Sequence, residues 1–137
     1  MMKVTCFTDG SCRFNPHGEM GYAYIIEIPD KPVIRHTASE PEKYGNSSVL
    51  AEYKALESLL LRLIEEGLTD AEILVNTDCN LIYRQFNHGT KPRKGFYLQT
   101  GIEVTRIAKR FRNLKINWIS RNDNIEADAL ASHYIKK

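Results

Sequence analysis

Three β-prone runs joined by short connections open the chain, and an alternation of helical and extended segments follows. This order narrows the fold more than any other feature. Lys3 to Thr8, Tyr22 to Ile28 and Val33 to Ala38 are rich in β-branched and aromatic residues and read as strands. Gly10 to Gly21, with Asn15-Pro16 and Gly18 inside it, reads as a loop, and Pro29-Asp30-Lys31-Pro32 reads as a turn. Connections of this kind join antiparallel neighbours. Ser47 or Ser48 then caps a helix that runs to about Glu66, with Gly67 to end it and Leu56, Leu59, Leu60 and Leu63 along one stripe. Glu72 to Thr77 is a fourth strand, Leu81 to Phe86 a short helix, Leu98 to Phe111 a longer one and Leu114 to Ile119 a fifth strand. Asn124 or Asp123 caps a last helix through Ile135. A meander followed by alternating elements implies an α/β fold, a mixed sheet with helices on its faces. Ligands of such sheets favour the carboxyl ends of the parallel strands.

The 137 residues fit one domain with a real core. Lys and Arg number 19 against 17 Asp and Glu, a net charge of +2, so composition alone does not mark a polyanion binder. Nucleic-acid contact would have to come from local charge placement. Cys6, Cys12 and Cys79 are odd in number and form no Cys-x-x-Cys pair, which argues against a disulfide scaffold or a structural zinc site. The apolar run after Lys3 ends at Asp9, too soon for a signal peptide, and no segment approaches the roughly 20 apolar residues that cross a bilayer. A soluble, cytoplasmic monomer with no membrane contact is expected.

Four acids stand in awkward places. Asp9 closes the first strand and Asp78 the fourth. Asp-Gly is also an ordinary turn signal, and Asp78 can cap the helix after it. Glu52 heads the stripe that continues through Leu56, Leu59 and Leu63, and Asp128 shares a helical spacing with Ile125, Ala131 and Ile135. Both would face inward, although an acid in a helix's first turns also suits the dipole. Taken singly, each acid reads equally well as a turn or cap residue. If the first and fourth strands are parallel neighbours, Asp9 and Asp78 emerge at one sheet edge, where like charges repel unless a cation lies between them. A cluster of carboxylates alone suits Mg²⁺ or Mn²⁺. Two such ions about 3.5–4 Å apart can clamp the attacking and leaving oxygens of phosphoryl transfer.

Further pieces stand in a fixed order around these acids. They are Thr8-Asp9-Gly10-Ser11-Cys12 with Asn15-Pro16 and Gly21; Ala51-Glu52-Tyr53 with Ala55-Leu56; Asn76-Thr77-Asp78; and Asn124 with Ala127-Asp128-Ala129-Leu130-Ala131. Together they resemble type 1 ribonuclease H (ribonuclease HI-like) over nearly the whole chain, in the subgroup that lacks a histidine loop. The resemblance implies a single ribonuclease H-like domain over 1–137, with a five-stranded mixed sheet whose first three strands are antiparallel. It implies that Asp9, Glu52, Asp78 and Asp128 are both the catalytic residues and the ligands of two ions, Mg²⁺ or Mn²⁺. Asp9 would bridge both ions. Asp128 would hold the ion that generates the attacking hydroxide, and Glu52 and Asp78 the ion at the leaving 3′-oxygen. The implied reaction is hydrolysis of the RNA strand of an RNA–DNA hybrid, leaving 5′-phosphate and 3′-hydroxyl ends.

Three departures qualify the resemblance. Ser120 to Asp123 contains no His, which implies slower turnover rather than inactivity, and His133 does not match the family's histidine. Where the family often carries Thr-Asn-Asn, this chain has Ser47-Ser48-Val49, and Val49 donates no hydrogen bond; Asn46 offers an amide one position earlier. The family's basic protrusion is reduced to Lys91-Pro-Arg-Lys-Gly95, and no separate N-terminal hybrid-binding domain is expected. Hybrids are read by shape, phosphates and 2′-hydroxyls. Gly10, Ser11, Cys12, Arg13, Asn15, Asn46, Ser48 and Asn80 are therefore the candidate contacts near the acids. Lys91, Arg93 and Lys94 are the candidates for phosphate, and read equally as a solvated charge run. Cys12 and Cys79 read as small fillers, and Trp118 as core. Two other functions stay open: the same chemistry on another duplex such as double-stranded RNA, and a non-catalytic nucleic-acid-binding module on the same fold.

Overall fold

Alternation along the first strand sets which way each side chain faces. In the computed structural model, which describes residues 2–92 and 95–133, β1 (Lys3–Cys12) buries Val4, Cys6 and Thr8 on one face. It is followed by β2 (Met20–Glu27), β3 (Ile34–Glu40), α1 (Ser48–Glu65), β4 (Glu72–Thr77), α2 (Asn80–His88), α3 (Leu98–Ala108), β5 (Asn113–Trp118), a 3₁₀ turn (Arg121–Asp123) and α4 (Ile125–Ala131). The strands form one sheet in the order β3-β2-β1-β4-β5. β1 to β3 are antiparallel, and β4 and β5 continue the sheet in parallel. The expected five-stranded mixed sheet is therefore present.

The first strand is longer than its composition predicts. Gly10, Ser11 and Cys12 pair with Tyr22, Gly21 and Met20 of β2, so the loop starts at Arg13 rather than at Gly10. Cross-strand pairing overrides the poor strand propensity of Asp and Gly. On its other edge β1 pairs with β4 only as far as Phe7, opposite Asn76. Asp9 thus lies inside a strand, just past the point where its parallel partner stops.

Leucines of α1 close the main core. Leu56, Leu59, Leu60 and Leu63 are fully buried against Val4, Cys6, Ile26, Ile73 and Val75, each worth roughly 1.5–3 kcal/mol on burial. Ser47 is the cap of α1, its Oγ accepting from Leu50 N at 3.0 Å, and Ser48 is the first helical residue. α4 packs on β1, β2 and β3 by its small buried residues Ala127 and Ala131. It is shorter than predicted, and Ile135 lies outside the described residues. α3 likewise ends at Ala108 rather than at Phe111. No helix among the described residues is long and apolar enough to cross a membrane.

Candidate metal centre

Gly10 is where helix meets strand. A Cβ there would stand 2.3 Å from the Ala51 carbonyl carbon and 2.4 Å from Glu52 N. With a hydrogen instead, the backbone of α1 lies against β1 and Glu52 comes beside Asp9. Asp78 is placed by the residue before it. Thr77 Oγ1 accepts from Cys79 N at 3.0 Å, folding the chain out of β4 into α2 with Asp78 at the bend. From the opposite side Asn124 donates through Nδ2 to Thr8 O at 2.9 Å and to Asp78 Oδ2 at 3.1 Å. This side chain ties the head of α4 to β1 and steadies one carboxylate.

The ligand oxygens of Asp9, Glu52 and Asp78 lie within 4.8 Å of one another. Asp9 and Glu52 are 5% and 8% exposed. No ion pair among the described residues reaches any of the three. Burial, reinforced by Asp78 and Asp128, pushes the Asp9 carboxyl from 3.8 up to about 7. Burial pushes Glu52 well above the usual carboxylate range, and Asp9, Cys79 and Asp78 add to the effect. Glu52 Oε1 is buried with no hydrogen-bond partner. A buried, unpartnered oxygen in a cluster of carboxylates is the local signature of a cation site. The donors are all oxygen, which fits a hard divalent ion. Burial also raises the Cys79 thiol, so it stays protonated and is a neutral neighbour.

Asp128 joins differently. It lies within side-chain hydrogen-bonding reach of Asp9 and lines the same open cavity, of about 370 Å³, as Asp9, Glu52 and Asp78. The inward stripe predicted for it is not what places it there. Asp128 is exposed, Ile125 is 69% exposed, and Ala127 and Ala131 are what α4 buries. Three acids are thus gathered tightly, and the fourth stands at the mouth next to Asp9.

The candidate contacts separate into groups. Gly10, Ser11, Cys12 and Ser48 line the acid cavity together with Val49 and Arg121. Asn80 is exposed in an adjoining groove with Asp78, Tyr83, Asn117 and Trp118. Arg13 is exposed and ion-paired with Glu19 at 3.8 Å. Asn15 bonds Ser48, its Oδ1 accepting from Ser48 N at 3.0 Å and its Nδ2 donating to Ser48 Oγ at 3.2 Å. Asn46 does not reach the site: it is buried, and both amide hydrogens are committed, to Gly18 O at 2.9 Å and Pro41 O at 3.0 Å. Lys91 is exposed; Arg93 and Lys94 lie outside the described residues. Trp118 is not core. It is 47% exposed at the end of β5, and its Nε1 donates to Asp78 O at 3.3 Å.

Of the two expected caps, Asn124 and Asp123, Asn124 stands at the cap position of α4, but its side chain makes no cap bond. Its role as a tether had no signal beyond its place in the family motif. Arg121 also lines the cavity, and no motif in the sequence marks it.

A family profile described as reverse transcriptase-like matches residues 7–134. The chain belongs to the reverse transcriptase-like family. Solved structures similar to it include type 1 ribonucleases H, as the motifs implied. The N-terminal ribonuclease H domain of Rv2228c from Mycobacterium tuberculosis superposes with a TM-score of 0.86 at 25% identity, covering 99% of this chain and 95% of that one. The ribonuclease H1 called LC11, isolated from compost, gives 0.83 at 29% identity, with 99% and 97% covered. A second structure of that protein, in complex with an RNA/DNA hybrid, gives 0.80 at 28% identity, with 95% and 94% covered. Among curated sequences, the bifunctional protein Rv2228c is 28% identical over 131 residues, 96% of this chain and 35% of the relative. This chain therefore spans about a third of the length of that relative.

In this ribonuclease H-like centre the raised Asp9 carboxyl has a measurable consequence. The unfolded chain releases that proton near 3.8, the folded one near 7. Its contribution to the stability of the metal-free chain is fully present below about 3.8 and is lost as pH rises through about 7. Glu52 acts in the same direction. A divalent ion opposes the loss, because it binds the ionised carboxylates and competes with protons for them. Mn²⁺ is expected to raise Tm by several degrees near pH 8, and by clearly less near pH 5. Thermal melts in Mn²⁺ and in EDTA at both values check this, and equal shifts would refute it.

Proposed function

We propose that this chain is a metal-dependent endoribonuclease that hydrolyses the RNA strand of RNA–DNA hybrids. The observation that carries the reading is the trio of clustered carboxylates that no ion pair among the described residues reaches, on a ribonuclease H-like fold. The hybrid complex of the compost relative supports the substrate. Asp9, Glu52, Asp78 and Asp128 would hold two ions, Mg²⁺ or Mn²⁺. When bound, the ions would acidify the attacking water and offset charge at the leaving 3′-oxygen, which gives 5′-phosphate and 3′-hydroxyl ends. Asp9 is the shared ligand in this reading, since it reaches both Glu52 and Asp128. Asn124 holds Asp78 in place through its Nδ2. Ser11, Cys12 and Ser48 offer small groups where the sugar–phosphate backbone would approach. Asn80 would extend that track, and Lys91 with Arg93 and Lys94 would meet phosphates.

An end-labelled hybrid incubated with the chain and Mn²⁺ is expected to be cut internally, in its RNA strand only, and EDTA is expected to stop the reaction. Cutting that survives chelation overturns the proposal. One observation favours a second reading, the same chemistry on double-stranded RNA. Val49 lines the cavity, and Asn46, the substitute amide, is locked into the loop below. Hybrid, double-stranded RNA and double-stranded DNA of equal length decide between the two. Hybrid-only cutting excludes the second reading, and comparable rates on double-stranded RNA establish it.

A further inference from the structure

Phe14 is held where a phenylalanine has no structural reason to be. Its φ is 50°, in the left-handed region, and its ring is 80% exposed. L-residues with bulky side chains avoid that conformation. Such strain persists only where the surroundings over-determine the backbone, and it concentrates at functional sites. Here the surroundings are firm. Arg13 N donates to Glu19 O at 2.8 Å. Asn15 is bonded twice to Ser48 at the start of α1. Gly18 packs so closely that a Cβ on it would stand 1.5 Å from Arg13 O. A rigid loop therefore holds a bare aromatic ring in solvent, with the Arg13 guanidinium carbon 5.0 Å from its centroid.

The position of this loop matters as much as its strain. Cys12, two residues before Phe14, lines the acid cavity, and so does Ser48, the residue to which Asn15 is bonded. The loop that carries the ring thus runs from the lining of the acid cavity, with the Arg13 guanidinium beside the ring.

We infer that Phe14 and Arg13 form a nucleic-acid contact on this loop, the ring packing on sugar faces of the duplex and the guanidinium meeting a phosphate. The inference rests on the function proposed above and adds to it the residues that grip the duplex beside the cut. A duplex with A-like geometry presents sugars along a wide, shallow minor groove, where a flat apolar face gains contact. Covering the exposed ring with a sugar face is worth roughly a tenfold change in affinity, and a phosphate contact adds about one to the slope of log affinity against log salt.

Phe14→Gly tests this, because glycine takes the left-handed conformation without strain. The fully assembled chain is compared with the variant by anisotropy of a labelled hybrid in EDTA, where binding is read without cutting. Phe14→Gly is expected to bind about tenfold more weakly, with a Tm unchanged or higher, and Phe14→Tyr to bind as the parent does. Arg13→Ala is expected to flatten the salt slope by about one. An unchanged affinity in Phe14→Gly overturns the inference. So does a lost affinity that comes with a lowered Tm, since that marks a loop support rather than a contact. Failure of the hydrolase reading looks different: the parent chain binds the hybrid and does not cut it in Mn²⁺, and the Phe14→Gly affinity still decides the contact. A parent chain that binds no hybrid overturns both.

Discussion

Asp9→Asn is expected to abolish hydrolysis and, in the metal-free chain, to raise stability near neutral pH. The two effects have one cause. Asp9 is buried among Glu52, Asp78 and Asp128, and its carboxyl is pushed to about 7. Ionised and without an ion, it is a charge held against its solvation and against its neighbours. Replacing it with a neutral amide of the same shape removes that penalty, on the order of 4 kcal/mol at most for a shift from 3.8 to about 7. The gain should be greatest near pH 8 and vanish below about 3.8, where the parent residue is itself protonated. The loss of activity should be large. Removing a residue that only supports a metal ligand costs roughly 10–100-fold, so removing Asp9, the ligand proposed to be shared, should cost more. Urea melts in EDTA across pH, with hybrid hydrolysis in Mn²⁺, check both halves. Hydrolysis at the parental rate would remove Asp9 from the centre. A variant no more stable near pH 8 would show that the charge was already neutralised by other means.

Gly10→Ala is expected to cost about 3 kcal/mol or more of stability and to take the activity with it. A new Cβ would stand 2.3–2.5 Å from backbone atoms of Ala51 and Glu52. Nothing there can swing aside. The atoms belong to a helix whose leucines fill the main core, and Gly10 itself is held in a strand paired with β2. Relief requires α1 to move away from β1, and Glu52 moves with it. Denaturant midpoints measure the first effect. Mn²⁺-induced stabilisation measures the second, and should shrink even under conditions where the variant is fully folded. An alanine variant with the parental midpoint would mean that the helix and strand are not in close contact.

Much of this architecture was readable from local pattern. The leucine stripe of α1, the β-branched runs and the turn at Pro29-Asp30-Lys31-Pro32 depend on neighbours a few positions away, and the elements formed near the expected places. The motif pieces identified the four acids and their order. Other expectations failed for a common reason. β1 continues through Asp9 and Gly10 because β2 pairs with it there, which overrides the poor strand propensity of both residues. The inward stripe predicted for Asp128 assumed a helix through Ile135 with Ile125 buried, but α4 ends at Ala131 and leaves Ile125 exposed. Trp118 reads as core from its place in a strand, yet β5 is the edge of the sheet and Trp118 its last residue.

By itself the chain's sequence determined the succession of strands and helices, the four candidate acids and the family resemblance, since these rest on local periodicity and on residue types in order. Only the tertiary structure decided how the acids meet. Asn124 ties Thr8 and Asp78 from 116 and 46 positions away. The hydrogen at Gly10 matters only because α1 lies on it. One oxygen of Glu52, Oε1, is left without a hydrogen-bond partner only where the fold has buried it. Phe14 is out of place only once its φ and exposure are known. Each of these depends on contacts between segments far apart in the chain, and no local pattern carries them.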